Sequence, residues 1–116
     1  MQEFERLKPH FIAAIAYNGG TQTIDQMHQG LYAGKYELWP SANAGAITEI
    51  CELPNKTYIN IVLGGGDLAE LQLINQAIEA KARELKLNGV MIVGRRGWKK
   101  VLPNFEEIAT LLIKEI

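Results

Sequence analysis

A glycine run, Leu63-Gly64-Gly65-Gly66-Asp67-Leu68, separates an apolar strand-like segment from a long amphipathic helix pattern. Glycine lets a backbone turn sharply or approach another group closely. A helix that begins just after such a turn points its unpaired amides and the positive end of its dipole back into the turn. The run therefore predicts a strand-to-helix turn where a phosphate could bind. Asp67 lies at the predicted N-cap, and its carboxylate competes with an anion for the same amides.

The segment after the glycine run completes a crossover unit. Glu70 follows Asp67 by three residues, as in a capping box. Leu87-Asn88-Gly89 is the expected helix exit, and the wholly apolar run Val90 to Val93 predicts a central strand covered on both faces. Strand, turn, helix and strand in this order form a right-handed unit with parallel strands. The apolar face of the predicted helix comprises Leu68, Leu71, Ile74, Ile78, Ala82 and Leu85.

Two helices are predicted ahead of this unit. Pro9 either kinks the first helix near Lys8 or lies in the first turn of its regular part. Thr23 and Gln26 have the spacing of a capping box for the second helix, which we expect to end at Gly34. Apolar residues of the first helix recur every three or four positions, at Phe4, Leu7, Phe11, Ile12 and Ile15.

Between these helices and the glycine run the apolar period changes to two, which predicts strands. The strand-like runs are Tyr36 to Trp39, Ala46 to Leu53 and Thr57 to Leu63. Short segments rich in turn-forming residues, Pro40 to Gly45 and Pro54 to Lys56, separate them. Antiparallel hairpins are therefore expected.

Composition indicates one globular domain over residues 1–116. Apolar residues make up 47% and charged residues 22% of the chain, and the net charge of −1 gives no general attraction to nucleic acid. The apolar runs are too short to span a bilayer, and the N-terminus lacks the pattern of a secretory signal. We therefore expect synthesis in the cytoplasm, without secretion.

A metal site is not expected. Cys51 is the single cysteine, so an internal disulfide and a cysteine-cluster metal site are excluded. His10 and His28 lie on separate predicted helices without a nearby set of carboxylate or cysteine ligands.

A series of short motifs resembles a family of small phage and prophage proteins with the GNAT (Gcn5-related N-acetyltransferase) fold. The resemblance implies an α/β domain with a mixed, mainly antiparallel sheet flanked by helices. It also implies a strand at Thr110 to Lys114, where periodicity alone leaves helix and strand open. The motifs are Tyr36-Glu37-Leu38-Trp39, Thr48-Glu49-Ile50, Gly65-Gly66-Asp67-Leu68, Gly94-Arg95-Arg96-Gly97-Trp98 and Val101-Leu102-Pro103.

The same resemblance implies a place for acetyl-coenzyme A between the strand that ends at Leu63 and the strand that starts at Val90. The pyrophosphate would meet the amides of Gly64, Gly65, Gly66, Asp67 and Leu68. The sequence departs from the catalytic pattern of the family in three ways. The loop has no cationic side chain, the chain begins with a helix instead of a strand, and Tyr58 is the last tyrosine.

Acetyl transfer also needs a base, for which Glu49 and Glu52 are the acids within the second predicted strand. They are three residues apart, so they face opposite sides of a regular strand and at most one points into a cleft. Exposed strand acids without a catalytic role are the alternative interpretation.

A basic cluster surrounds Trp98. It could bind phosphates and stack a base. Alternatively, Trp98 packs in the core while the cations are solvated or paired with Glu106 and Glu107. The cluster consists of Arg95, Arg96, Trp98, Lys99 and Lys100.

These observations lead to two main hypotheses. The first is a phage or prophage accessory or virion-associated protein that uses a GNAT-like scaffold to contact a protein partner or a second copy, without a cofactor and with acetyl transfer lost. The second is an acetyl-coenzyme A-dependent N-acetyltransferase of unknown substrate. Contact with nucleic acid through Arg95 to Lys100 is a third hypothesis.

Overall fold

The computed structural model describes residues 2–17, 20–93, 98, 102, 104–108 and 112–116. Helices and strands form an α/β architecture in which a sheet is flanked by helices. In chain order the elements are α1 (Gln2–Tyr17), α2 (Ile24–Tyr32), β1 (Glu37–Pro40), β2 (Ala44–Glu52), β3 (Thr57–Gly66), α3 (Leu68–Glu84) and β4 (Gly89–Ile92).

The sheet is mixed, rather than mainly antiparallel as expected, and has the order β1-β2-β3-β4. β1 with β2 and β2 with β3 are antiparallel, whereas β3 and β4 are parallel. The predicted meander and the predicted strand-helix-strand crossover are thus confirmed. The prediction of a central last strand is wrong for the described residues, because β4 lies at the edge of the sheet they form and its residues are only half-buried.

Each face of the sheet packs against different helices. On one face α1 and α2 bury Phe4, Leu7, Phe11 and Met27 around Ile47 and Leu63. On the other face the apolar stripe of α3 packs around Ala44, Ala46, Ile59 and Ile61. Burial of these side chains removes apolar surface from water on both faces, which is the main favourable contribution to folding.

A β-bulge in β3 decides which residues face which helices. Ile47 lies opposite Leu63, and its neighbour Thr48 lies opposite Ile61, so Val62 is an additional residue in β3. The additional residue reverses the alternation of side chains. Ile61 therefore packs in the α3 core, whereas Leu63 packs in the core formed with α1.

The glycine run belongs to β3, which corrects the prediction of a turn. Gly64, Gly65 and Gly66 lie opposite Ala46, Gly45 and Ala44 in the ladder with β2. Gly66, which has φ +109°, and the extended N-cap residue Asp67 connect β3 to α3. These small residues let the helices approach the sheet closely, since a Cβ on Gly45 would lie 2.7 Å from Leu7 Cδ1.

Local signals explain most helix boundaries. The Thr23 and Gln26 capping box is present, with bonds of 3.1 and 2.9 Å, and Gly34 follows the end of α2 with φ +79°. α1 continues through Pro9, so its regular part does not begin there. The predicted helix exit is wrong, because Lys86, with φ 59°, takes the left-handed conformation after α3.

The C-terminal segment differs in part from the predicted strand. Thr110 and Leu111 lie outside the described residues, and residues 112–116 form neither helix nor strand. In the part of the chain that the structure describes, no helix is long and apolar enough to cross a membrane.

Candidate functional site

A cleft of about 220 Å³ opens where β3 continues past its last residue paired with β4. That last pair is Ile61 with Ile92, so the backbone of residues 62–66 borders the cleft on one side. α1 and the first turn of α3 form the walls, and Trp98 lines the cleft as well. Clefts beyond the carboxyl ends of parallel strands are frequent ligand sites in α/β proteins.

The sequence alone did not predict that α1 forms one wall of the cleft. His10, Ala13, Ala14 and Tyr17 line the cleft. They recur at i, i+3, i+4 and i+7, which is the spacing of one helix face. That spacing could have identified the face, but only the packing of α1 on β3 shows that it borders the cleft.

Most of the cleft surface is apolar. Leu68 and Leu71 of α3, Ile92 and Val93 of the β4 segment, and Trp98 contribute apolar side chains. The polar side chains that line it, among the described residues, are His10 and Tyr17. The cleft therefore offers a ligand apolar side chains together with His10, Tyr17 and the backbone of residues 62–66.

Hydrogen bonds within the protein occupy the entrance of α3. The Asp67 carboxylate accepts from the Glu70 amide at 3.0 Å, and the Asp67 amide donates to the Asn43 carbonyl at 2.9 Å. Asp67 thus caps the helix as predicted. A pyrophosphate at this position would face the Asp67 carboxylate and compete with it for the Glu70 amide.

The Glu70 carboxylate does not complete the predicted capping box. It accepts from Ser41 Oγ at 2.5 Å and from the Asn43 amide at 2.7 Å. These two hydrogen bonds, the Ser41 bond first, lower the pKa of Glu70. The Arg6 guanidinium donates to the carbonyls of Ser41 and Ala42 at 2.7 and 2.6 Å. Arg6 and Glu70 together hold the β1–β2 connection between α1 and α3.

The predicted cofactor residues lie at the cleft, with one difference. Leu63, Gly64, Gly65, Gly66 and Leu68 line it, whereas Asp67 does not. A Cβ on Gly65 would lie 2.6 Å from the His10 carbonyl oxygen, so Gly65 serves the packing of α1 on β3.

The two candidate bases lie outside the cleft lining. Glu49 is half-buried opposite Asn60, whose Nδ2 donates to its carboxylate at 3.3 Å. Glu52 is exposed at the end of β2, opposite Thr57. Both positions pair with the part of β3 that precedes the cleft.

Trp98 is the described member of the basic cluster. It packs against the α3 core, and its Cη2 would lie 3.4 Å from a Cβ on Gly64. Arg95, Arg96, Lys99 and Lys100 lie outside the described residues.

The two histidines lie in different surroundings. His10 lines the cleft, and His28 stacks on Phe4 with 5.3 Å between ring centroids. Within the described ranges, no group of three or more His, Cys, Asp or Glu residues could hold a metal ion.

Comparison with known proteins shows a similarity of fold. No family model matches the chain, and no curated protein does. The structure is similar to the crystal structure of wild-type TTHA1254 from Thermus thermophilus, with a TM-score of 0.55 and 13% sequence identity. The similarity covers 97% of this chain and 91% of that chain. The two proteins therefore share an architecture over nearly their whole lengths.

Proposed function

We propose that this chain is a phage or prophage accessory or virion-associated protein that uses a GNAT-like scaffold for protein contacts and has lost acetyl transfer. It would act in the cytoplasm of the host cell or in the virion. The motif series from Tyr36 to Pro103 is the basis for the family and for the phage origin. The mixed sheet with its β3–α3–β4 crossover supports the scaffold.

Exposed apolar side chains near the C-terminus carry the proposal of protein contacts. Ile108 and Leu112 are 85% and 86% exposed, Ile113 is 60% exposed, and Ile116 is fully exposed. Apolar side chains concentrated at one segment of a surface favour burial against another protein. A protein partner or a second copy of this chain would bury these apolar side chains.

The entrance of α3 supports the loss of acetyl transfer. Two carboxylates, Asp67 and Glu70, lie in the first turn and its cap, and the Glu70 amide is already bonded. Neither Glu49 nor Glu52 lines the cleft where a base would be needed. The carboxylates of Asp67 and Glu70 would thus repel the phosphates of a negatively charged cofactor. No carboxylate that could act as a base is among the described residues that line the cleft.

The position of the cleft favours one alternative, an acetyl-coenzyme A-dependent N-acetyltransferase. The cleft lies beyond the paired part of parallel β3 and β4 and beside the start of α3. In this alternative the amides of residues 64–68 hold the pyrophosphate, and Glu49 or Glu52 acts as base through water.

Calorimetric titration with acetyl-coenzyme A separates the two functions. We expect no binding at millimolar ligand for the natural sequence. Asp67→Asn keeps an N-cap acceptor and removes the charge, so it should bind the cofactor more tightly than the natural sequence. Asp25→Asn, in the first turn of α2, changes net charge equally and serves as the control. Micromolar binding by the natural sequence would contradict the proposal.

A further inference from the structure

Asn75 is a buried amide within the apolar stripe of α3. It lies between Ile74 and Ile78 of the core and is 8% exposed. Its Nδ2 donates to the carboxylate of Glu79. Because a carboxylate only accepts, this bond fixes which end of the amide is the nitrogen. Asn75 Oδ1 is buried and has no hydrogen-bond donor among the described residues.

A second, smaller cavity adjoins Asn75. Its volume is about 20 Å³, and Ile78 and Leu102 also line it. A cavity needs roughly 10–15 Å³ to admit a group the size of a water molecule. There is thus room beside Asn75 for one hydroxyl group.

The small cavity and the cleft are neighbours. Both are lined by Ile61, Gly64, Leu71, Ile92 and Trp98. Gly64 has no side chain between them, and the Trp98 ring lies against its backbone. Asn75 lines the small cavity and not the cleft, so a molecule in the cleft would reach it past these shared residues.

We propose that the cleft and the small cavity form one binding site for a small, neutral, apolar alcohol or phenol. The apolar part of the ligand lies among Leu71, Ile92 and Trp98, and its hydroxyl donates to Asn75 Oδ1. A lone carbonyl acceptor in apolar surroundings selects a neutral donor over a carboxylate or phosphate. The ligand would occupy part of the cleft that the alternative function assigns to acetyl-coenzyme A, but its hydroxyl uses none of the amides at the start of α3. Binding of an alcohol is therefore tested separately from binding of the cofactor, and it does not involve the exposed side chains of the proposed protein contacts.

Phenol and toluene are suitable probes because they have nearly the same shape and only phenol has a donor. Each is titrated into the natural protein and followed by ¹H–¹⁵N chemical-shift changes. We expect phenol to shift the Asn75 side-chain amide and to bind about tenfold more tightly than toluene, as one buried hydrogen bond provides. Equal affinity for the two probes, or no shift with either, overturns the proposal.

Two variants test the role of the Asn75 oxygen. Asn75→Leu removes the acceptor at similar size, so phenol should lose its advantage over toluene. Asn60→Leu is the matched control. Among the described residues, Asn60 Oδ1 is also buried without a donor, and Asn60 is not one of those that line either cavity. Thermal unfolding of both variants shows whether they fold. A phenol preference that persists in folded Asn75→Leu, or that is lost equally in Asn60→Leu, contradicts the assignment.

Discussion

The carbonyl oxygen of His10 lies 2.6 Å from the point where a Cβ on Gly65 would be. α1 and β3 therefore approach so closely that only glycine fits at this position. Gly65→Ala should destabilise the fold by about 1–3 kcal/mol, because the backbone of α1 must move. Urea unfolding measures the free energy. Gly64→Ala is the control, since its Cβ would make an ordinary contact with Trp98, 3.4 Å away. Equal losses in both variants would show that strand conformation, not helix packing, determines the effect.

Replacing the cap of α3 should weaken the helix. Asp67→Ala removes the acceptor for the Glu70 amide and should cost about 1 kcal/mol of unfolding free energy. Asp67→Asn keeps an acceptor and should lose less. Thermal unfolding of the two variants provides the comparison, and an Asn variant as unstable as the Ala variant would contradict this role of the cap.

The lowered pKa of Glu70 predicts how stability depends on pH. Ser41 and Asn43 stabilise the carboxylate in the folded protein, so its pKa lies below that of the unfolded chain. The contribution of Glu70 is present above the unfolded-state pKa and is lost as the pH falls through the folded-state pKa. Glu70→Gln should therefore be less stable than the natural protein near neutral pH, and the difference should shrink on acidification.

Denaturant unfolding across acidic and neutral pH checks this expectation. Glu84→Gln, at the opposite end of α3, controls for the change in net charge. A difference between Glu70→Gln and the natural protein that stays constant with pH would argue against stabilisation of the Glu70 carboxylate.

The exposed apolar segment predicts association. Leu112→Asn combined with Ile116→Asn should leave the unfolding temperature nearly unchanged, because both side chains are exposed. Sedimentation velocity over a concentration series should show self-association of the natural protein and less association of the variant. A natural protein that stays monomeric would exclude a second copy as the partner. A large fall in unfolding temperature would mean that the two side chains are covered within one chain.

Local patterns were sufficient for several features of the fold. The capping box at Thr23 and the cap at Asp67 depend on side chains a few residues apart, so the sequence contains the whole interaction. The change of apolar period from about 3.6 to two likewise marked the start of the sheet near Glu37.

Features that depend on contacts between segments far apart in the sequence were not predicted. The glycines of β3 form a strand because Ala44, Gly45 and Ala46 pair with them. Glu70 turns away from Asp67 because Ser41 and Asn43 offer donors. α1 lines the cleft because it packs on β3, about fifty residues later in the chain. Periodicity within α1 does not show which strand the helix packs against.

The additional residue Val62 has a consequence for folding cooperativity. Ile61 and Leu63, on either side of it, belong to different hydrophobic cores. Neither core can separate from the sheet without loosening the strand that anchors the other. The two layers should therefore unfold in one transition, and the amides of β3 should be among the slowest to exchange with solvent deuterium.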